Sequence, residues 1–167
     1  MNIFIIIGIV VFNFILQSTI FQYIGISGVV PNTSLILVNI FALLAGKNIG
    51  AIIGLITGLL QDIFFGGPIG INALTYATIG YSIGLLDNKV FKENLLLPLS
   101  TTFVSTFAYH IMYYLFMIFL SIDVSFTLML KNILLKETIY NSLLSIILYK
   151  KILKYYRAPH ISFTKKM

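Results

Sequence analysis

Few residues in this chain could do chemistry, and they do not gather into a catalytic pattern. It has 2 histidines and 5 acidic residues. His110 and His160 are far apart, and the second sits in a basic tail beyond Pro159. No His/Asp/Glu group has metal-ligand spacing, and there is neither a Walker phosphate loop nor a nucleophile elbow. Gly66-Gly67-Pro68-x-Gly70 has the glycines of a phosphate cradle but no lysine, and reads as a turn. Cysteine is absent, so disulfides and thiolate metal sites are excluded. The expected function is non-enzymatic, with no metal and no cofactor.

The polar residues that remain share a depth. Asp62 lies fifteen residues beyond Lys47, His110 fifteen beyond Leu95, and Asn72 fifteen before Asp87. Glu137 is thirteen before Lys150, and Gln17 sixteen beyond Met1. On helices rising ~1.5 Å per residue, all five fall ~20–24 Å from one membrane edge. Two readings stand: a shared intramembrane polar layer or outward pocket, or the approach of the outer interface, where polar groups are cheaper. Asp62 is the only acid well inside an uninterrupted apolar stretch. It is either a functional carboxylate or a buried acid capping the turn Phe65-Gly66-Gly67-Pro68. If hydrogen bonding rather than charge matters there, Asn is expected to replace it. The group Tyr109, His110, Tyr113, Tyr114 reads as an interfacial aromatic belt in preference to a ligand box.

A four-residue glycine period is the most specific local pattern. Gly50, Gly54 and Gly58 stack on one helix face, and Gly80 and Gly84 repeat the spacing in the next helix. Such a face is a groove along which another backbone can approach closely. It serves either packing within the protein or a partner's transmembrane helix.

The elements that must position these residues follow from composition. Of 167 residues, 59% are hydrophobic and 10% charged, and the mean hydropathy is +1.00. A soluble domain is ~25% charged, so this chain cannot coat a water-facing surface and is expected to be an all-α integral membrane protein. Cutting at charges and Gly/Pro turns yields a six-helix transmembrane bundle in one domain, 1–157, with spans 3–23, 31–45, 48–65, 71–86, 95–120 and 128–149. Residues 158–167 form a short basic tail. The first apolar stretch lacks the basic start and cleavage site of a signal peptide, and is expected to remain as a helix. The fifth span is longer than needed, which implies tilt or a kink near Pro98. The sixth carries Lys131, Lys136 and Glu137, and its first part is expected along the outer interface.

The net charge of +6 is concentrated at one end. Six of the eleven basic residues, Lys150, Lys151, Lys154, Arg157, Lys165 and Lys166, lie in the final eighteen positions. With Lys47, Lys89 and Lys92 on the same side, the positive-inside rule puts both termini in the cytoplasm. The basic tail is read as an anchor to anionic lipid, not as a nucleic-acid site.

The run Gly50-x-x-x-Gly54-x-x-x-Gly58-Leu59-x-x-Asp62, followed by Gly66-Gly67-Pro68-x-Gly70-x-Asn72-Ala73-Leu74, resembles the MreD family of rod shape-determining proteins. Leu16-Gln17-Ser18-Thr19 and Val30-Pro31 support it upstream, and size, six spans and basic end match along the chain. Where the family often has an acid after the proline, this sequence has Asn32. The resemblance implies a non-enzymatic scaffold in the bacterial inner membrane that takes part in cell elongation. Its implied partners are MreC, a single-span protein, and indirectly the actin-like MreB system and a SEDS glycosyltransferase with its transpeptidase. The family's fold is also similar to the S components of energy-coupling factor transporters. The alternative function is therefore vitamin-type substrate binding for such a transporter.

Overall fold

The computed structural model describes residues 3–23, 25, 28–122 and 134–157. Among them are six α-helices, a short 3-10 turn and no strand: α1 (Ile3–Ser18), α2 (Thr33–Ala45), α3 (Lys47–Phe65), α4 (Ile71–Gly84), α5 (Leu96–Phe119) and α6 (Leu135–Arg157). The tail 158–167, with His160, Lys165 and Lys166, lies outside the described residues. So does 128–133 with Lys131, on which the expected interfacial start of the sixth span falls.

The centre of the bundle is α2. Every residue from Thr33 to Leu44 is buried, and its side chains anchor an apolar cluster with Ile6, Val10, Ile53, Tyr76, Ile79, Tyr149 and Ile152. At 13 residues it extends only ~20 Å, less than a bilayer's hydrocarbon. Its start is set by Asn32, whose Oδ1 accepts the Leu35 N–H at 3.0 Å. Its end is set by Gly46, whose φ of +87° reverses the chain directly into α3. Lys92 holds the same end: Nζ pairs with Asp87 at 2.5 Å and donates to the Leu44 carbonyl at 3.1 Å, which would otherwise be left open at the helix terminus.

The outer helices are inside-out by the standard of a water-soluble protein. On α3 the buried face is Gly50, Ile53, Gly54, Thr57, Gly58, Gln61 and Asp62. Ile52, Leu55, Ile56, Ile63 and Phe64 point outward. On α6 the exposed residues Leu135, Ile139, Leu143 and Ile147 recur every four residues, while Glu137, Asn141, Ser142 and Ser145 are buried. A surface of apolar side chains around a partly polar interior suits lipid as the surrounding solvent.

The helix ends depart from the expected spans in several places. α1 stops at Ser18, five residues short of Tyr23, where the Phe21 N–H reaches back five residues to the Leu16 carbonyl at 3.0 Å and closes the last turn. α6 runs to Arg157, eight residues beyond Tyr149. Lysine is expensive in lipid but not in a helix, so a cut made at charges stops too early. Pro98 is the third residue of α5, where its missing N–H has no helical partner to lose. The helix therefore accommodates it in its first turn and continues unbroken to Phe119. Among the described residues, two helices, Lys47–Phe65 and Leu96–Phe119, meet the requirement for crossing a bilayer by length and apolarity together, while Ile5–Ser18 and Thr33–Ala45 are shorter apolar helices.

Candidate functional site

The glycine face is filled from within the protein. A Cβ added at Gly58 would lie 2.5 Å from Ala73 Cα, Ala73 N and the Asn72 carbonyl carbon. At Gly54 it would lie 2.5 Å from the Tyr76 carbonyl carbon and 2.8 Å from Ala77 N. At Gly50 it would lie 2.6 Å from the Gly80 carbonyl oxygen and 2.7 Å from Ala42 Cβ. From the other side, a Cβ on Gly80 would strike the Gly50 carbonyl, and one on Gly84 the Lys47 backbone. Thus α3 and α4 touch backbone to backbone along their length, and α4 occupies the groove that a partner's helix would need.

Asp62 extends this face to the start of α4. The loop between the helices turns through Gly66, Gly67 and Gly70, all at positive φ. That turn lowers the N-terminus of α4 onto the carboxylate. Oδ2 accepts from Gly70 N at 2.8 Å and Ala73 N at 3.2 Å, and Oδ1 accepts from Asn72 N at 3.1 Å and Asn72 Nδ2 at 2.9 Å. An acid from another helix therefore does the work of an N-cap, and its charge faces the positive end of the helix dipole. Because each oxygen accepts two N–H groups, Asn is a poor substitute: its NH2 would face donors. With this geometry Asn is not expected to replace Asp62.

A hydrogen-bonded chain crosses the bundle beside this cap. The Tyr76 hydroxyl donates to Gln61 Oε1 at 2.8 Å and accepts from Asn32 Nδ2 at 2.7 Å. Asn32 N–H donates to Asn141 Oδ1 at 2.9 Å. Asn141 Nδ2 donates to Glu137 Oε1 and Thr106 Oγ1, both at 3.3 Å. His110 Nε2 meets Glu137 Oε2 at 2.9 Å, with both side chains only 9% exposed. Asn72 links the cap to this wall, since its Oδ1 accepts the Tyr109 hydroxyl at 2.9 Å. The Tyr109 ring stands 5.2 Å from His110 and 5.8 Å from Tyr113.

Of the five polar residues singled out from depth, Asp62 and Asn72 are in direct contact, and so are His110 and Glu137. Gln17 stands apart on α1, where its Oε1 accepts from Thr33 Oγ1, Ser34 N and Ser34 Oγ at the start of α2. Gln17, Asn72, His110 and Glu137 border one open cavity of about 490 Å³ at the end of the bundle opposite Gly46, and Asp62 lies behind Asn72. Tyr109 and Tyr113 line this cavity as well, so part of the aromatic group faces inward.

Depth counting missed Gln61, Tyr76 and Asn141, and the linking role of Asn32. Asn141 follows Glu137 by four residues, a spacing that already puts both on one helix face. Tyr76 carried no signal, because an aromatic in an apolar stretch is indistinguishable from core. Among the described residues no group of three or more His, Cys, Asp or Glu could hold a metal ion.

Residues 1–158 match the family model of the rod shape-determining protein MreD. No curated protein and no solved structure matches the chain. MreD proteins are membrane-associated members of the cell-shape system and are not a known enzyme family. With nearly the whole chain covered, glycine face and capped turn included, this protein belongs to the MreD family and has a role in rod shape determination.

Proposed function

We propose that the chain is a non-enzymatic scaffold of the bacterial elongation machinery. Its single six-helix domain crosses the inner membrane with both termini in the cytoplasm, and its basic tail rests on the anionic leaflet. It binds an MreC-like single-span protein. Through that partner it acts with an MreB-type actin homologue and with a SEDS glycosyltransferase and its transpeptidase in lateral peptidoglycan synthesis. The family match over residues 1–158 carries this reading. The apolar outer faces of α5 and α6 support it: they offer a single-span helix a surface in the membrane, whereas the glycine groove is already occupied.

The test is recovery of the affinity-tagged full chain from native membranes in mild detergent. An MreC-type protein should copurify, and depletion of the chain should round the cells. Rod shape maintained by a tagged chain that recovers no such partner refutes the scaffold reading.

A further inference from the structure

The cavity at the Gly66 end of the bundle has unspent hydrogen-bonding capacity, and its distribution specifies a ligand. The asparagines around it are used at both ends of their amides: Asn32 by Leu35 N and Tyr76, Asn72 by Asp62 and Tyr109. The glutamines are not. Gln17 Oε1 takes three donors from α2 and Gln61 Oε1 takes the Tyr76 hydroxyl. Among the described residues no acceptor meets either Nε2, although Gln17 is 9% and Gln61 7% exposed. Both residues belong to the cavity lining, which leaves their unengaged N–H donors at its wall. The Glu137 carboxylate adds acceptor capacity, because His110 and Asn141 engage it once at each oxygen and a carboxylate has about four lone-pair sites.

The charge of the lining narrows the ligand class. Among the described residues no Lys or Arg borders the cavity, and its one acid is already paired with His110. An anion would find no cation there, and a cation would have to compete with the imidazole. A hydroxyl group is both donor and acceptor, and so satisfies glutamine amides and a carboxylate together. The half-buried Tyr113 and its neighbour Tyr109 add ring faces to one wall. At about 490 Å³, the space is within the ~300–1,000 Å³ of small-molecule sites.

We propose that this cavity binds a neutral sugar, with its hydroxyls held by Gln17, Gln61 and Glu137 and its ring against Tyr113.

The experiment uses the purified full chain in lipid nanodiscs, with glucose, N-acetylglucosamine, choline and inorganic phosphate as probes. Thermal midpoint and saturation-transfer NMR are the readouts. A sugar should raise the midpoint in proportion to the logarithm of its concentration, while choline and phosphate should not. Gln61→Leu removes the free donor together with the oxygen that Tyr76 uses, and should weaken sugar binding at least about tenfold. Should that variant fail to fold, Tyr113→Ala, which removes the ring that the sugar rests against, should still weaken binding several-fold. The proposal is overturned if neither sugar gives a saturable response. It is overturned equally if choline or phosphate binds as well as the sugars, or if sugar binding is undiminished in every variant that folds.

Discussion

Replacing Gly58 by alanine adds a single methyl group, yet the structure leaves no place for it. The new Cβ would lie 2.5 Å from three backbone atoms of α4, at Asn72 and Ala73. Carbon contacts settle at ~3.5 Å or more, so α4 must withdraw by roughly 1 Å. These atoms are not side-chain ends that can rotate aside. Asp62 stands one turn along the same face, and its bonds to the start of α4 measure 2.8–3.2 Å. Withdrawal would lengthen them to nearly 4 Å, beyond useful hydrogen bonding. Overpacking of this kind costs about 1–3 kcal/mol, and weakening bonds to a buried carboxylate brings the expected loss to about 2–4 kcal/mol. Gly8→Ala is the control, because a Cβ there meets nothing within 4 Å. The assay is equilibrium unfolding in detergent micelles titrated with SDS and followed by helical circular dichroism. The midpoint of Gly58→Ala should fall well below wild type, and that of Gly8→Ala should not. If Gly58→Ala unfolds at or above the Gly8→Ala midpoint, the backbone-contact argument is wrong.

Asp62→Asn should unfold nearly as early as Asp62→Ala, since one N–H-accepting oxygen becomes a donor and each stranded donor costs about 1–3 kcal/mol; a wild-type midpoint for Asp62→Asn would show that the cap does not depend on two acceptors. For the buried His110–Glu137 pair, a double-mutant cycle with His110→Asn and Glu137→Gln should give a coupling of about 0.5–3 kcal/mol, whereas strictly additive losses would mean that the contact contributes nothing. Topology is checked by membrane-impermeant labelling of cysteines at two exposed positions, Asn48→Cys and Ile69→Cys. Only Ile69→Cys should react in intact cells, and labelling of Asn48→Cys from outside would invert the bundle.

Much of this protein could be read from residue types in order. Apolar excess, glycine period and clustered lysines are local properties, and each maps directly onto a physical demand: lipid as solvent, close helix approach, and a favoured side of the membrane. The run from Gly50 to Leu74 carried the family because backbone contact and a glycine turn restrict which residues are allowed there. Helix ends were less legible. α1 ends where a backbone turn closes from Phe21 onto Leu16, and Lys150 to Arg157 continue α6, although neither effect changes hydropathy in the corresponding direction.

Tertiary structure alone decided which surfaces meet. A glycine stripe specifies a groove but not its occupant, because any backbone fits a face without side chains; folding placed α4 there. Depth along a helix put Asp62 and His110 at one level but contained no azimuth. Only the packed bundle turned Asp62 beneath the N-terminus of α4 and His110 toward Glu137. The chain from Gln61 through Tyr76, Asn32 and Asn141 to Glu137 joins four helices or their caps, with 109 residues separating Asn32 from Asn141. Such partners share no sequence period. They are chosen because a buried polar group must find another, and only the folded arrangement determines which one is within reach.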